Sequence, residues 1–504
     1  MADSPLAVFR CDGGPNLGSG HVMRCLGFAA RLRDYGWTTK FAVSDETTRT
    51  MTFPESQRTN IIPVDETDQP VALGQKIGGH CELLVIDHYQ LDYSYERACR
   101  NWSDRLIAID DLANRRHECD VLTDFTPGRK VDAYKGKIPD RCSLYLGPSF
   151  APLRRDFFHR RVEESPHSSI RQRPYVLISL GATDPNNFTC RILNAIKAAS
   201  LDVTVTVALD GAAPHLAAVE NRLSEVNGTL LVDTPDMAQE MSAADFIVGA
   251  AGTSAWERCC LGKATLMLVA GVNQRANAAF LSTCGAVRLL DEASNDVAFA
   301  IALTEMIEDP VALKTMGAKA SELCDGLGGA RLILAAGAAP KAKDAQPVCL
   351  RPVCDNDLEK LLNWQQHPDT RRYARNPQAP TLAEHNNWFA SKRADRHCIF
   401  NIITHGDNAA GLLRFDYKED LKGFEISIVI APDLHGLGIA TQALRLGRVL
   451  LDDWNIYAYV NSANGTSLRL FKKAGYICTG DKGWFVNRAT VLRMPADKVD
   501  FNGP

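Results

Sequence analysis

Apolar positions in the first 335 residues fall into short unbroken runs. Leu6 to Phe9 form the first run; a glycine-rich loop follows, and then Val22, Cys25, Leu26, Ala29 and Leu32 recur at the three- and four-residue spacing of a helix that faces a core. The same order of apolar run, polar or glycine-containing loop and helical pattern returns at Leu83 to Ile86, Leu106 to Ile109 and Tyr175 to Leu180. Strands that are apolar on both faces and alternate with helices predict parallel sheets covered on each side. Two such sets separate around the charged, proline-containing stretch RRVEESPHSSIRQRP, giving an α/β chain with Rossmann-like domains over residues 1–165 and 166–335.

The pattern changes beyond residue 335. LILAAGAAPKAKDAQP has the composition of a helix end and a linker, with residues 336–347 read as the linker. A different order opens at Val348: a strand in VCLRPV, helices from Asp355 to Gln366 and from Leu382 to Arg393, then strands IFNIIT, AAGLLRFDY and GFEISIVI before a glycine-rich turn and another helix. Residues 348–504 therefore read as an α+β domain on a mostly antiparallel sheet.

Length agrees with this division, since 504 residues accommodate about three domains at roughly 100–200 residues each. The formal charge of −4 gives no general footprint for nucleic acid or an anionic membrane, so any phosphate site must be local. The fifteen cysteines include no C-x-x-C and no Cys/His cluster at zinc spacing; reduced thiols and no metal are expected. MADSPLAVFRCDGG lacks a basic segment leading into an apolar run, and nowhere do about 18 apolar residues run together, so the expected compartment is the cytoplasm.

Candidate chemistry begins in the first loop, which runs from Arg10 through Asp12, Gly18 and Gly20 to His21 and Arg24. Glycines at a strand-to-helix turn let the backbone approach a ligand, and free N–H groups at a helix start attract anions such as a diphosphate. His21 lies in the first helical turn, where its ring suits a general base for water; a helix-capping histidine beside a structural turn is the plainer alternative. The string GSGHVMRCLGFAARL resembles the start of the UDP-sugar hydrolases of pseudaminic acid biosynthesis, relatives of the glycosyltransferase-B fold, and the resemblance extends to about residue 335. It implies that His21 is the catalytic base, that Asp87 and Tyr89 in VIDHYQLD form a strand-end motif, and that hydrolysis needs no metal.

Three stretches of the second half fit a nucleotide pocket. Gly181 to Asp184 follow a strand and offer N–H groups to phosphate. Gly252, Thr253 and Ser254 open a helix, with Glu257 one turn in and suited to ribose hydroxyls. Asn273, Gln274 and Asn277 resemble the N-Q-x-x-N-A run of related glycosyltransferases. Capping and first-turn acids account for Thr253, Ser254 and Glu257 equally well one at a time.

In the last domain His435, Gly436, Gly438 and Ala440 open a helix after GFEISIVI, again exposing N–H groups that suit the diphosphate of coenzyme A. The turn resembles that of the GNAT acetyltransferases, although His435 stands where those have Arg or Gln. YAYVNSANGTSLRLFKKAGY supplies a second GNAT-like signature with Asn464 and Ser467. Phe471 replaces the tyrosine that often protonates the departing thiolate, leaving water or Tyr457, Tyr459 or Tyr476. Glu425 is a candidate base for the acceptor amine through water, or a solvated strand carboxylate. The opening LRPVCDNDLEKLLNWQQHPDTRRYARN resembles the sugar-nucleotide N-acetyltransferases of the same pathway, with Trp364-Gln365-Gln366 where that group has W-R-N. Trp364, Tyr373, Trp388 and Phe389 line the acceptor side or pack in the core.

Together the resemblances imply a bifunctional enzyme with acetyl-CoA as co-substrate. The last domain would acetylate the 4-amino group of a UDP-4-amino-4,6-dideoxy sugar, and the first two would hydrolyse the product and release UDP. The alternatives are a glycosyltransferase or a non-catalytic UDP-sugar sensor, fused to an acetyltransferase for another amine.

Overall fold

The computed structural model describes residues 4–14, 17–65, 70–163, 171–291, 294–479 and 483–488. Two compact units result: one comprises Pro5–Arg33 and Trp37–Gly329, the other Ala330 onward with Asp34–Gly36. The boundary expected at residue 165 lies outside the described residues.

The first unit holds two parallel sheets. Strands β1 (Leu6–Cys11), β2 (Thr38–Ser44), β3 (Ile61–Val64), β4 (Cys81–Asp87), β5 (Ser103–Ile109), β6 (Val121–Asp124) and β7 (Ser143–Leu146) lie in the order β3-β2-β1-β4-β5-β6-β7. Every pairing is parallel. Strands β8 (Tyr175–Ser179), β9 (Thr204–Leu209), β10 (Thr229–Val232), β11 (Phe246–Ala250), β12 (Thr265–Leu268) and β13 (Arg288–Leu290) form the second, in the order β10-β9-β8-β11-β12-β13, also parallel throughout. Each sheet runs outward in both directions from a central pair, β1/β4 and β8/β11. At that reversal the connections leave on opposite faces, and a crevice opens beyond the carboxyl ends of the pair.

The central strands explain the unbroken apolar runs, because helices cover both of their faces. Phe9 of β1 stacks on Phe41 of β2 with ring centroids 5.0 Å apart and meets Phe28 edge-on at 5.8 Å. Phe28 belongs to the helix Gly20–Asp34, so this packing fixes the helix that carries His21. Each phenyl ring removed from water contributes about 1.5–3 kcal/mol.

The second unit holds β14 (Val348–Pro352), β15 (Cys398–His405), β16 (Asn408–Lys418), β17 (Gly423–Ile430), β18 (Ile456–Tyr459), β19 (Ile477–Cys478) and β20 (Trp484–Asn487), ordered β14-β15-β16-β17-β18-β20-β19. β14 to β17 are antiparallel, whereas β17 and β18 run parallel. That parallel pair is joined only through Phe424 with Ile456 and Glu425 with Tyr457, so the edge of β17 from Ile426 onward is open to this side. Helices Leu358–Gln366 and Leu382–Ala394 cover one face around Leu361, Phe389, Phe400, Ile402 and Leu412. The second begins with a capping box in which the Thr381 and Glu384 side chains each bond the other's backbone N–H, satisfying two otherwise orphaned donors.

Candidate active sites

The carboxyl ends of β1 and β4 meet at the first switch point. Cys11 pairs with Asp87 in register, so the loop after β1 and the carboxylate ending β4 are neighbours by topology. His21, Arg24 and Cys25 occupy one face of the helix Gly20–Asp34, as their spacing of three and four requires, and all three converge on Asp87. His21 Nδ1 lies 2.6 Å from one Asp87 oxygen; Arg24 forks across both, with Nε and Nη2 each at 2.5 Å.

The protonation pattern follows from these distances. Burial would raise the Asp87 pKa, but the charge of Arg24 and the hydrogen bonds from Arg24 and His21 hold it well below the usual carboxylate range. Nδ1 lies 2.6 Å from the Asp87 oxygen and 3.0 Å from Arg24 Nη2; the shorter contact to an ionised oxygen favours a hydrogen on Nδ1, which leaves the lone pair of the neutral ring on Nε2. The Arg24 guanidinium also lies 4.9 Å from the centre of the Phe125 ring, and Asp87 raises its pKa despite complete burial.

Two residues extend the cluster. Tyr89 packs edge-on against His21, ring centroids 4.6 Å apart, and its hydroxyl donates to Asp111 at 3.3 Å. Asp111 also lies 3.6 Å from Arg24 Nη1. Asp111 escaped the sequence reading, although LIAIDDL carries its signal: consecutive acids end the apolar strand β5, the neighbour of β4. Asp12 turns away from this cluster. It accepts from Arg10, the Ser44 N–H and Thr47 and pairs with His88, so it braces the loop.

The second sheet completes the crevice. Asn273 Nδ2 reaches the Tyr89 hydroxyl at 3.3 Å, and a Cβ on Gly20 would stand 2.8 Å from Thr253 Oγ1, so the two loops approach closely at this glycine. Thr253 precedes the helix Ser254–Leu261 after β11, and Ser254 Oγ accepts from Arg258. Gln274 Oε1 accepts from the Ala270 N–H, and its amide lies 3.4 Å from a Cβ placed on Gly252, so the loops after β11 and β12 pack together. Glu257 and Asn277 sit half-buried on these helices; burial raises the Glu257 pKa against the charges of Arg154 and Arg258. Gly181 takes a left-handed turn after β8, whereas Asp184 accepts from the N–H groups of Phe188 and Thr189 and so caps the next helix.

In the second unit Gly438, at φ +83°, is the N-cap of the helix Ile439–Leu450, and Gly436 stands at φ +85°. The turn reverses the chain so that the first N–H groups of the helix, through Ala440, have no intrahelical acceptor. His435 Nε2 faces the Ile430 carbonyl at 3.2 Å. Glu425, at the point where β17 leaves β18, pairs with Arg375 at 2.6 Å, and that guanidinium lies over the rings of Tyr459 and Trp484. Asn464 caps the helix Gly465–Lys473 by accepting from the Ser467 N–H at 3.0 Å.

Among the tyrosines, Tyr476 is packed edge-on against Phe471, and burial raises its pKa. The Tyr457 ring lies over Gly423, and Tyr459 is exposed on Trp484. Phe389 belongs to the core cluster under the two helices, Trp364 and Trp388 pack half-buried against it, and Tyr373 is exposed.

Comparison with known proteins adds identity to this geometry. Residues 348–477 match the family model of the acetyltransferase (GNAT) domain. The C-terminal region is a GNAT domain. The UDP-2,4-diacetamido-2,4,6-trideoxy-beta-L-altropyranose hydrolase of Campylobacter jejuni is 25% identical over 208 residues, 40% of this chain and 72% of the relative. An uncharacterized protein of Methanocaldococcus jannaschii is 23% identical over 402 residues, 76% of this chain and 77% of that one. Among solved structures, MurG of Acinetobacter baumannii aligns with a TM-score of 0.44 and 17% identity over 64% of this chain and 96% of its own. The chain thus joins a homologue of a UDP-sugar hydrolase to a GNAT acetyltransferase domain, on two Rossmann-like parallel sheets and one mixed sheet.

Proposed function

We propose that the chain catalyses two successive steps on one UDP-linked amino sugar of pseudaminic acid biosynthesis. The GNAT domain acetylates the 4-amino group of UDP-4-amino-4,6-dideoxy-N-acetyl-beta-L-altrosamine. The first unit then hydrolyses the anomeric C–O bond of UDP-2,4-diacetamido-2,4,6-trideoxy-beta-L-altropyranose. The observation that carries the hydrolytic reading is the buried His21–Asp87–Arg24 cluster at the switch point, on a chain homologous to a hydrolase of that substrate.

In the hydrolysis, His21 Nε2 takes a proton from water as the water oxygen bonds to the anomeric carbon. The bond from that carbon to the diphosphate oxygen breaks, and UDP leaves with the electron pair. Asp87 fixes the ring and offsets the imidazolium charge that develops. The Gly18 N–H is held by the Gly14 carbonyl at 2.7 Å, so the leaving diphosphate meets the N–H groups of Ser19 and Gly20 and of the helix start Gly252–Ser254, with Gly181 on the neighbouring loop. Glu257 accepts from ribose hydroxyls, and Asn273, Gln274 and Asn277 contact the sugar or the diphosphate. UDP is a good leaving group, so the paired carboxylates of ordinary glycosidases are unnecessary.

In the acetyl transfer, coenzyme A lays its diphosphate against the turn His435–Ala440 and its extended arm along the open edge of β17. The 4-amino nitrogen bonds to the thioester carbonyl carbon, the amine proton passes through water to Glu425, and the C–S bond breaks with its electron pair going to sulfur, so that coenzyme A leaves as a thiolate that takes a proton from water. Asn464 and Ser467 flank the coenzyme from the next helix.

Turnover in water enriched in oxygen-18 tests the hydrolysis. The reading expects UDP release without any acceptor and the label in the sugar; label in UDP, or release only when an acceptor is added, would overturn it.

A further inference from the structure

The stretch between the two enzymes is folded, despite its linker composition. Residues 340–348 form a hairpin in which Lys341 bridges Pro347, the Ala342 N–H donates to the Gln346 carbonyl at 2.9 Å and the Val348 N–H to the Pro340 carbonyl at 2.8 Å. On one side Asp344 pairs with His405 of β15 at 3.0 Å. On the other the hairpin meets the glycine turn: the Lys343 N–H donates to the Leu437 carbonyl at 2.9 Å, Lys343 Nζ donates to the Gly436 carbonyl at 2.8 Å, and Gln442 Nε2 donates to the Lys341 carbonyl at 3.2 Å.

These contacts supply what the turn lacks on its own. With Gly436 and Gly438 both at positive φ, the turn has little intrinsic rigidity, and an anion site needs its carbonyls directed away from the anion. Two of those carbonyls are held by Lys343. The turn also lacks a fixed cation of its own, because His435 occupies the position of the Arg or Gln in GNAT-like sequences and faces the Ile430 carbonyl. Lys343 brings a permanent charge to this place on a backbone that is itself hydrogen-bonded.

We propose that Lys343 is a positioning residue for the diphosphate of coenzyme A: it holds the turn in its anion-binding form and brings a permanent positive charge beside it. This rests on the reading of His435–Ala440 as the coenzyme A site. The functional boundary of the acetyltransferase then lies near Pro340, ahead of the first strand at Val348.

The test uses the full-length chain with Lys343→Met, measuring acetyl-transfer rates to the UDP-4-amino sugar against acetyl-CoA concentration and coenzyme A binding by calorimetry. The KM for acetyl-CoA is expected to rise about tenfold with kcat changed by less than about twofold, and Lys343→Arg should restore most of the loss. Acetyl-dephospho-CoA, which keeps the diphosphate and lacks the ribose phosphate, should show the same rise. An unchanged KM, a loss confined to kcat, or a rise that vanishes with the dephospho compound would each overturn the role. Wild-type chain that binds no coenzyme A would remove the site reading and the inference together. Wild-type binding with an indifferent Lys343→Met would sink the inference alone.

Discussion

At the end of β4 the hydrolase-like site is made of buried side chains that satisfy one another, with Asp87 shared between His21 and Arg24. At the head of the helix Ile439–Leu450, the acetyltransferase turn offers main-chain N–H groups, and the His435 side chain is exposed. The difference fits the tasks proposed for the two sites. A base must hold one tautomer and one orientation, which a desolvated and fully paired carboxylate enforces. A diphosphate needs several convergent donors but little orientation of any single side chain. The first design is rigid and intolerant because breaking a buried pair weakens the compensation of the partner charge; the second should tolerate loss of the His435 side chain.

The comparison breaks most visibly at Asp87. Asp87→Asn removes the anion that favours one His21 tautomer and leaves buried Arg24 with only the more distant Asp111, 3.6 Å away, as counter-charge. UDP release should fall by about 10²–10⁴-fold and stability by roughly 3–5 kcal/mol, read by rate assay and urea unfolding.

A second buried network tests the same intolerance through pH. His117 Nδ1 lies 2.8 Å from Glu96, and Nε2 lies 3.7 Å from Asp110. Burial alone would lower its pKa, but Asp110 and Glu96 raise it to about 9. A folded pKa above the unfolded one, about 6.5 for histidine, gives stability that is complete below pH 6.5 and lost as pH rises through 9. Unfolding midpoints compared on the two sides of that window should show a loss of roughly 3 kcal/mol, absent from His117→Gln.

Smaller effects sharpen the contrast. Tyr89→Phe removes one hydroxyl that joins Asp111 and Asn273 while keeping the packing against His21; kcat/KM for UDP release should drop about tenfold. His435→Ala deletes a side chain from a turn proposed to work through its backbone, so the KM for acetyl-CoA should rise no more than about threefold. A loss there as large as that of Asp87→Asn would remove the distinction.

Periodicity made much of this legible. Unbroken apolar runs gave both parallel sheets, and the candidate pair His21 and Asp87 meets because the loop after β1 and the end of β4 are neighbours in the sheet, with Cys11 paired to Asp87. Asp111 was hidden, since an acid after a strand is common and its contacts with Arg24 and Tyr89 depend on which strands are neighbours. The same limit applies to Asp12 and Asp184, whose residue type suits a ligand but whose carboxylates are taken up by backbone and neighbouring side chains. The segment 336–347 reads as a tether by composition, yet backbone bonds to a distant turn fold it, and composition carries no trace of those. The parallel junction of β17 with β18 was also invisible, because two paired residues leave no periodic signature.

The central claim is that two reactions on one sugar nucleotide reside in this chain and that His21 serves only the second. Full-length His21→Asn, given the UDP-4-amino sugar and acetyl-CoA and followed by NMR, tests it most directly. The account predicts that the N-acetylated UDP-sugar accumulates at the wild-type rate while UDP fails to appear. Release of UDP near the wild-type rate, or no acetylation by either chain, would contradict it.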